Sequence, residues 1–175
     1  DGGSLSYRQN GSEVTSDSFS FTVSDGQGGT IGSTVFALSI TPVNDSPVLS
    51  TNTGTSVAEG AGVSIGNSSL QVTDADAGDV LTYTVTTGPS AGSLSLGTSF
   101  TQAQIDGGSL SYTQNGSEVT SDSFSFTVSD GQGGTIGSTV FALSITPVND
   151  APSLGLSVLP DATVGILYAA IITTT

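Results

Sequence analysis

The sequence predicts an all-β protein made of tandem β-sandwich domains strung into an elongated array, and three observations carry that expectation. Residues 1–45 recur as residues 106–150 with a single difference, Arg8 against Thr113, so the chain repeats itself on the scale of a small domain. Apolar and small polar residues alternate with period two in segment after segment, the pattern of strands with one buried and one wet face. Gly, Asn and Asp gather between those segments, where tight turns need them.

The repeat divides the chain into three parts. Residues 46–150 form a complete unit, residues 1–45 match the second half of a unit, and residues 151–175 begin another. The identity stops after the shared TPVND, where Ser46-Pro47-Val48 faces Ala151-Pro152-Ser153. A full unit is long enough to bury a core, whereas the flanking pieces are not unless something completes them. The chain therefore reads either as a window on a longer protein or as a subunit whose partial ends are completed by neighbouring molecules.

Within the complete unit, Val57 and the run Leu70 to Thr73 supply early strands. Val80 to Thr86 alternates cleanly, with Leu81, Tyr83 and Val85 on one face and threonines on the other. Leu94/Leu96 and Leu110/Tyr112 mark two shorter strands. Phe124, Phe126 and Val128 alternate with serine and threonine, as do Phe141, Leu143 and Ile145 in the last strand. The expected core is Leu81, Tyr83, Leu94, Phe124, Phe126, Val128, Phe141 and Leu143. Gly131 to Gly134 (GQGG) is a hairpin connection and Asn115-Gly116 a tight-turn pair. TQAQ, from Thr101 to Gln104, signals one helical turn with Thr101 as N-cap and Gln104 closing a capping box. About seven strands with turn signals every ~8–12 residues fit antiparallel sheets packed as an immunoglobulin-like sandwich. Serine and threonine on the outer faces leave the sheet edges weakly guarded against another chain.

Composition narrows the function. Fifteen acids face one base, Arg8, for a net charge of −14, and Cys, His, Trp and Met are absent. Such a surface repels nucleic acid and anionic membranes and attracts cations. No 18-residue apolar run crosses a bilayer; the most apolar stretch is the short Val164 to Ile172. Disulfides, thiolate metal sites and a Lys–Asn isopeptide bond are all ruled out. Gly62 to Gly66 (GVSIG) matches a nucleophile elbow, but without His the serine Ser64 lacks a conventional base, so the segment reads as a strand and the chain as a non-enzyme. DADAGD is not an EF-hand, because Gly78 takes a ligand position and Val85 the place of the bidentate Glu. Sequons occur at Asn10, Asn44, Asn67 and Asn115.

The acids sit at loops and joints. Asp74, Asp76 and Asp79 lie in VTDADAGD, Asp130 ends a strand at SDGQGG, Glu118 and Asp122 flank that strand's start, and Asn149-Asp150 close the unit. In a loop, carboxylates at i and i+2 can converge on one ion, and calcium needs six to eight oxygens. The competing reading is that Asp and Asn serve only as turn residues; that reading suits Asp1 and Asp106 before Gly-Gly.

The segment SEVTSDSFSFTVSDGQGGTIGSTVFALSITPVND resembles the second half of a cadherin-type repeat. The fuller pattern from VTDADAGDVLTYTV to FTVSDG is similar to cadherin-like repeats of the chondroitin-sulfate-proteoglycan type, which also occur in giant bacterial surface adhesins. The resemblance covers residues 1–150, while LPDATVGILYAAIITTT resembles the first strands of a bacterial immunoglobulin-like domain. It implies tandem immunoglobulin/cadherin-like sandwiches: residues 1–45 as the C-terminal half of one repeat, 46–150 as a complete repeat, and 151–175 as the start of another domain type. It also implies calcium at the joints. Glu13, Asn44 and Asp45 would come from before the first joint and Asp74, Asp76 and Asp130 from after it, with Asp17 and Asp79 as additions. Glu59 would serve the following joint with Glu118, Asn149 and Asp150. The joints VNDSP and VNDAP lack the family's leading Asp, and no D-x-D follows Asp150, which leaves the second joint short of ligands. The implied role is extracellular, at a cell surface: the stalk of an adhesin or a filament, joined to neighbouring repeats or to identical subunits. An adhesive module gripping a glycan or protein receptor is the alternative, and would call for an exposed aromatic cluster; Tyr7 and Tyr112, on the core side of their strands, do not supply one.

Overall fold

The computed structural model describes residues 3–152 and 163–167. The strands expected from residues 151–175 fall largely outside the described residues.

Residues 1–45 contribute a hairpin of β1 (Ser16–Ser24) and β2 (Thr30–Ser39), joined through the Gly-rich turn at Asp25. The next unit runs β3 (Val48–Asn52), β4 (Thr55–Ala58), β5 (Gly62–Ser64), β6 (Leu70–Thr73), β7 (Thr82–Thr87), β8 (Gly92–Leu94) and β9 (Ser99–Thr101). Then come α1 (Gln102–Asp106), β10 (Ser111–Gln114), β11 (Ser121–Ser129) and β12 (Thr135–Thr146). The five-stranded sheet has the order β4-β12-β11-β7-β9, the three-stranded sheet β5-β10-β8, and β3 pairs with β6.

Alternation places one side of each long strand of this second unit in a common core. Tyr83, Phe100, Tyr112, Phe124, Phe126, Phe141, Leu70, Ile105, Leu110 and Leu143 are all fully enclosed there. The aromatic rings interlock: Phe124 stacks on Phe141 with centroids 5.1 Å apart, and Tyr83 stacks on Phe100 at 5.0 Å. Burying that much aromatic surface is the main term stabilising the unit. The one helix among the described residues is a single turn held by a complete capping box, in which Thr101 Oγ1 accepts from Gln104 N and Gln104 Oε1 accepts from Thr101 N.

The structure differs from the sequence expectation in two places. Leu94 is half-buried rather than central, because β8 is a three-residue edge strand whose partner β10 already fills the interior with Tyr112. The large sheet is not purely antiparallel: β4 runs parallel to β12, with Thr55 beside Leu143 and Ala58 beside Thr146. Gly54, at φ +71°, links β3 to β4 and lies so close to the Ala142 carbonyl that a side chain there would collide with it.

Candidate metal centre at the joint

β6 ends at Thr73 and the chain enters the loop Asp74 to Asp79 before β7. Asp74 Oδ1 accepts from the Asp76 amide at 3.1 Å, an Asx turn that folds the two carboxylates together, and Gly78 supplies the positive φ (+109°) that brings Asp79 back toward them. Carboxylate oxygens of Asp74, Asp76 and Asp79 come within 4.8 Å of one another.

Residues 1–45 close over this loop. The Asp45 amide donates to Asp76 Oδ2 at 2.6 Å. Asn44 donates its side-chain amide to Asp130 Oδ2 at 3.0 Å and to the Asp45 carbonyl at 2.9 Å. Glu13 lines a hollow of about 420 Å³ with Asn44, Asp76 and Asp79. Asp130 itself is 3% exposed, its Oδ1 accepting from the amides of Gln132, Gly133 and Gly134 at 2.7 to 3.0 Å. Those bonds fix the turn between β11 and β12, and a Cβ at Gly134 would strike the Asp130 carboxylate.

Electrostatically the cluster is overloaded. Glu13 Oε2, Asp74 Oδ2 and Asp79 Oδ2 are buried with no hydrogen-bond partner. Burial, then the charges of Asp76 and Asp45, push the Glu13 carboxyl above its ordinary value. Burial, then Asp76, Asp74 and Asp130, do the same to Asp79. Asp130 goes the other way: the Asn44 bond leads, burial opposes it, and the loop amides add to it, so its carboxyl is held below the usual range. Arg8, the sole base, lines a separate hollow with Tyr7 and Asp17 and leaves this charge unbalanced.

Three partnerless buried carboxylate oxygens among all-oxygen donors suit a hard divalent cation such as calcium. Glu13, Asp74, Asp76 and Asp79 have the spare acceptor capacity to hold it. Asp130 has less, since its two oxygens already accept from three backbone amides and Asn44.

At the far end of the unit, carboxylate oxygens of Glu59, Glu118 and Asp150 lie within 4.8 Å of one another. The Val148 amide donates to Glu59 Oε2 at 3.0 Å, and Asn149 donates to the Asp150 carbonyl at 3.3 Å. The Glu59 charge, then burial, then Asp150 raise the Glu118 carboxyl. This group is more exposed than the first, and none of its carboxylate oxygens is both buried and partnerless.

Asp17 is not part of either group. It accepts from the Tyr7 hydroxyl at 2.8 Å and from the Ser18 amide, an exposed acid at the start of β1. Its repeat counterpart, Asp122, has a role the sequence reading passed over: it accepts from Tyr112 Oη at 2.8 Å and from the amides of Ser90 and Ala91 at 2.9 Å each. A tyrosine ten residues before an acid in both copies was the available signal.

A family described as Cadherin-like matches residues 47–145. The human extracellular matrix organizing protein FRAS1 is 33% identical over 142 residues, which cover 76% of this chain and 4% of that protein. Human chondroitin sulfate proteoglycan 4 is 38% identical over 141 residues, covering 73% of this chain and 6% of that protein. The chain thus spans only a few per cent of the length of these relatives. The repeat, the sandwich and the family match over residues 47–145 agree, and the chain belongs to the cadherin-like family.

Proposed function

We propose that this chain is a structural segment of an extracellular repeat protein, an adhesin stalk or cell-surface filament, stiffened by calcium at its domain joints. In this reading residues 1–45 and 46–150 belong to successive repeats and residues 151–175 open a further domain, so neighbouring repeats or identical subunits are the partners. The extracellular setting is supported by the likeness to an extracellular matrix organizing protein and a proteoglycan.

The observation that carries the reading is the set of partnerless buried oxygens on Glu13, Asp74 and Asp79, drawn from both sides of the joint. Bound there, calcium supplies the positive charge the cluster lacks. The chain's own residues do the rest: the Asp45–Asp76 bond and the Asn44–Asp130 bond hold the two sides in register. Without the ion the carboxylates repel one another and drive the sides apart. At the second joint Glu59, Glu118, Asn149 and Asp150 would act alike, with weaker affinity because they are more exposed.

Isothermal titration of the full chain tests this. A saturable site with a dissociation constant of ~10⁻⁴–10⁻³ M, in the range of extracellular calcium modules, is expected. Asp79→Asn, which keeps the shape and removes the charge, should weaken it at least about tenfold, as losing ~1.4 kcal/mol does. The absence of saturable heat, or an unchanged isotherm in the variant, retires the calcium joint.

A further inference from the structure

Gln9-Asn10-Gly11-Ser12-Glu13 recurs as Gln114-Asn115-Gly116-Ser117-Glu118, and both copies fold into the same turn. Asn10 Oδ1 accepts from the Ser12 amide at 3.1 Å and Asn115 Oδ1 from the Ser117 amide at 3.1 Å, while Gly11 and Gly116 supply φ of +89° and +83°. The glutamine closes each turn. Gln114 Oε1 accepts from the Gly116 amide at 2.6 Å, and its Nε2 donates to the Ser117 carbonyl at 2.8 Å and hydroxyl at 3.2 Å. Gln9 makes the same bonds to the Gly11 amide and to the carbonyl and hydroxyl of Ser12. Each glutamine thus grips the peptide group that leads directly into a joint carboxylate, Glu13 in one copy and Glu118 in the other.

Gln114 reaches further. It is 2% exposed, and its Oε1 also accepts at 2.6 Å from the amide of Gly60, the residue after Glu59. One carboxamide therefore fixes the backbone beside both Glu59 and Glu118, whose carboxylate oxygens lie within 4.8 Å of each other and of Asp150. Glutamine suits this place. A carboxamide accepts and donates at once, which a carboxylate against the Ser12 carbonyl could not do, and it adds no charge to a region crowded with acids. Glu13 Oε2 is buried without a partner, so no bond at that oxygen sets its direction, and the backbone behind it must. From this we infer that Gln9 and Gln114 are positioning residues of the joints, aiming Glu13 and Glu118 at a divalent cation without touching it. The inference rests on the calcium joint proposed above and adds the residues that direct its carboxylates. Residues behind a metal ligand govern affinity by about 10–100-fold.

Gln9 gives the cleaner test, because it is half-buried, whereas Gln114 lies in the interior where a change endangers the fold. Gln9→Leu keeps the bulk and removes the bonds. Calcium is titrated into the full chain and followed by NMR at the Asp79 carboxyl carbon, which reports the first joint. Gln9→Leu should weaken binding there by about tenfold. In chelator its guanidinium midpoint should stay in place while hydrogen exchange of the Gly11 amide speeds up. On a Glu13→Gln background the same change should alter affinity by less than about twofold, because its effect runs through Glu13. Unchanged affinity in Gln9→Leu, an equal loss on both backgrounds, or a loss that comes with a lower midpoint overturns the inference while the calcium joint stands. An unaltered chain in which Asp79 does not respond to calcium retires the joint and this inference with it.

Discussion

Tyr112 Oη donates to Asp122 Oδ2 at 2.8 Å, and through that bond a fully enclosed phenol is tied to the loop entering β8. The same carboxylate accepts from Ser90 N and Oγ, Ala91 N and Ser123 N, so one side chain satisfies five donors. Burial would raise the Asp122 carboxyl, but the bonds from Ser90, Ala91, Tyr112 and Ser123 outweigh it and hold it below its ordinary value. Gly92 allows the approach, since a Cβ there would lie 2.5 Å from the Tyr112 ring.

Asp122→Ala is therefore expected to destabilise the unit by about 2–4 kcal/mol, because it strands donors that are buried or nearly so. Asp17→Ala, the same change in the first copy, should cost less than about 0.5 kcal/mol, as befits an exposed site. Guanidinium unfolding of the two variants makes the comparison. Equal losses would show that the bonds at Ser90 and Ala91 contribute nothing.

Phe126→Ala should cost ~3–5 kcal/mol, the range for an aromatic ring removed from a closed core. Phe21→Ala removes the same residue from the same strand sequence, yet should cost under about 1 kcal/mol because its ring is part-exposed. A loss below 1 kcal/mol for Phe126→Ala would count against the core placement.

Gln102 links three elements: its Oε1 accepts from Tyr83 Oη at 2.6 Å and Val72 N at 2.9 Å, and its Nε2 donates to Asn67 at 3.0 Å. Gln102→Ala leaves the Tyr83 hydroxyl and the Val72 amide without a partner and should cost about 2–3 kcal/mol. Gln102→Glu keeps the acceptor but sets a second carboxylate against Asp106, to which Nε2 donates at 2.8 Å, so it should recover less than half of that in the same unfolding assay.

The strands that line the core were readable because each carries its own evidence: Tyr83 and Phe126 sit in runs where every second residue is small and polar, and Phe141, Leu143 and Ile145 alternate with Ala142 and Ser144. The capping box was equally local, four residues from Thr101 to Gln104. What escaped was non-local. Nothing within Thr55–Ala58 says that its partner is β12 or that the pair is parallel, since either direction uses the same alternation. Leu94 looks like a core residue by pattern, and only the three-residue length of β8 and the bulk of Tyr112 opposite keep it at the margin. Asp17 and Asp122 were ambiguous for the same reason: an acid at a strand start can face a joint or a tyrosine, and only the direction of the strand decides.

Calcium should reverse the sign of the joint's response to pH. Glu13 and Asp79 are raised above their ordinary 4.5 and 3.8 when no ion is present. A carboxyl raised by folding favours the closed joint while it is protonated. That contribution is whole below the unfolded value and is lost as pH rises through the folded one, so the ion-free joint loosens upward from about pH 4. Calcium binds only the ionised carboxylates, so with the ion present the joint weakens as pH falls. Asp130, lowered mainly by Asn44, favours folding in the usual sense and loses its contribution on acidification in both conditions. Carboxyl-carbon NMR titration of the full chain reads these groups one by one. Midpoints for Glu13 and Asp79 above their ordinary values in chelator, falling below them in several millimolar calcium, are the expected result. Midpoints that do not move between the two conditions would mean that neither side chain meets the ion.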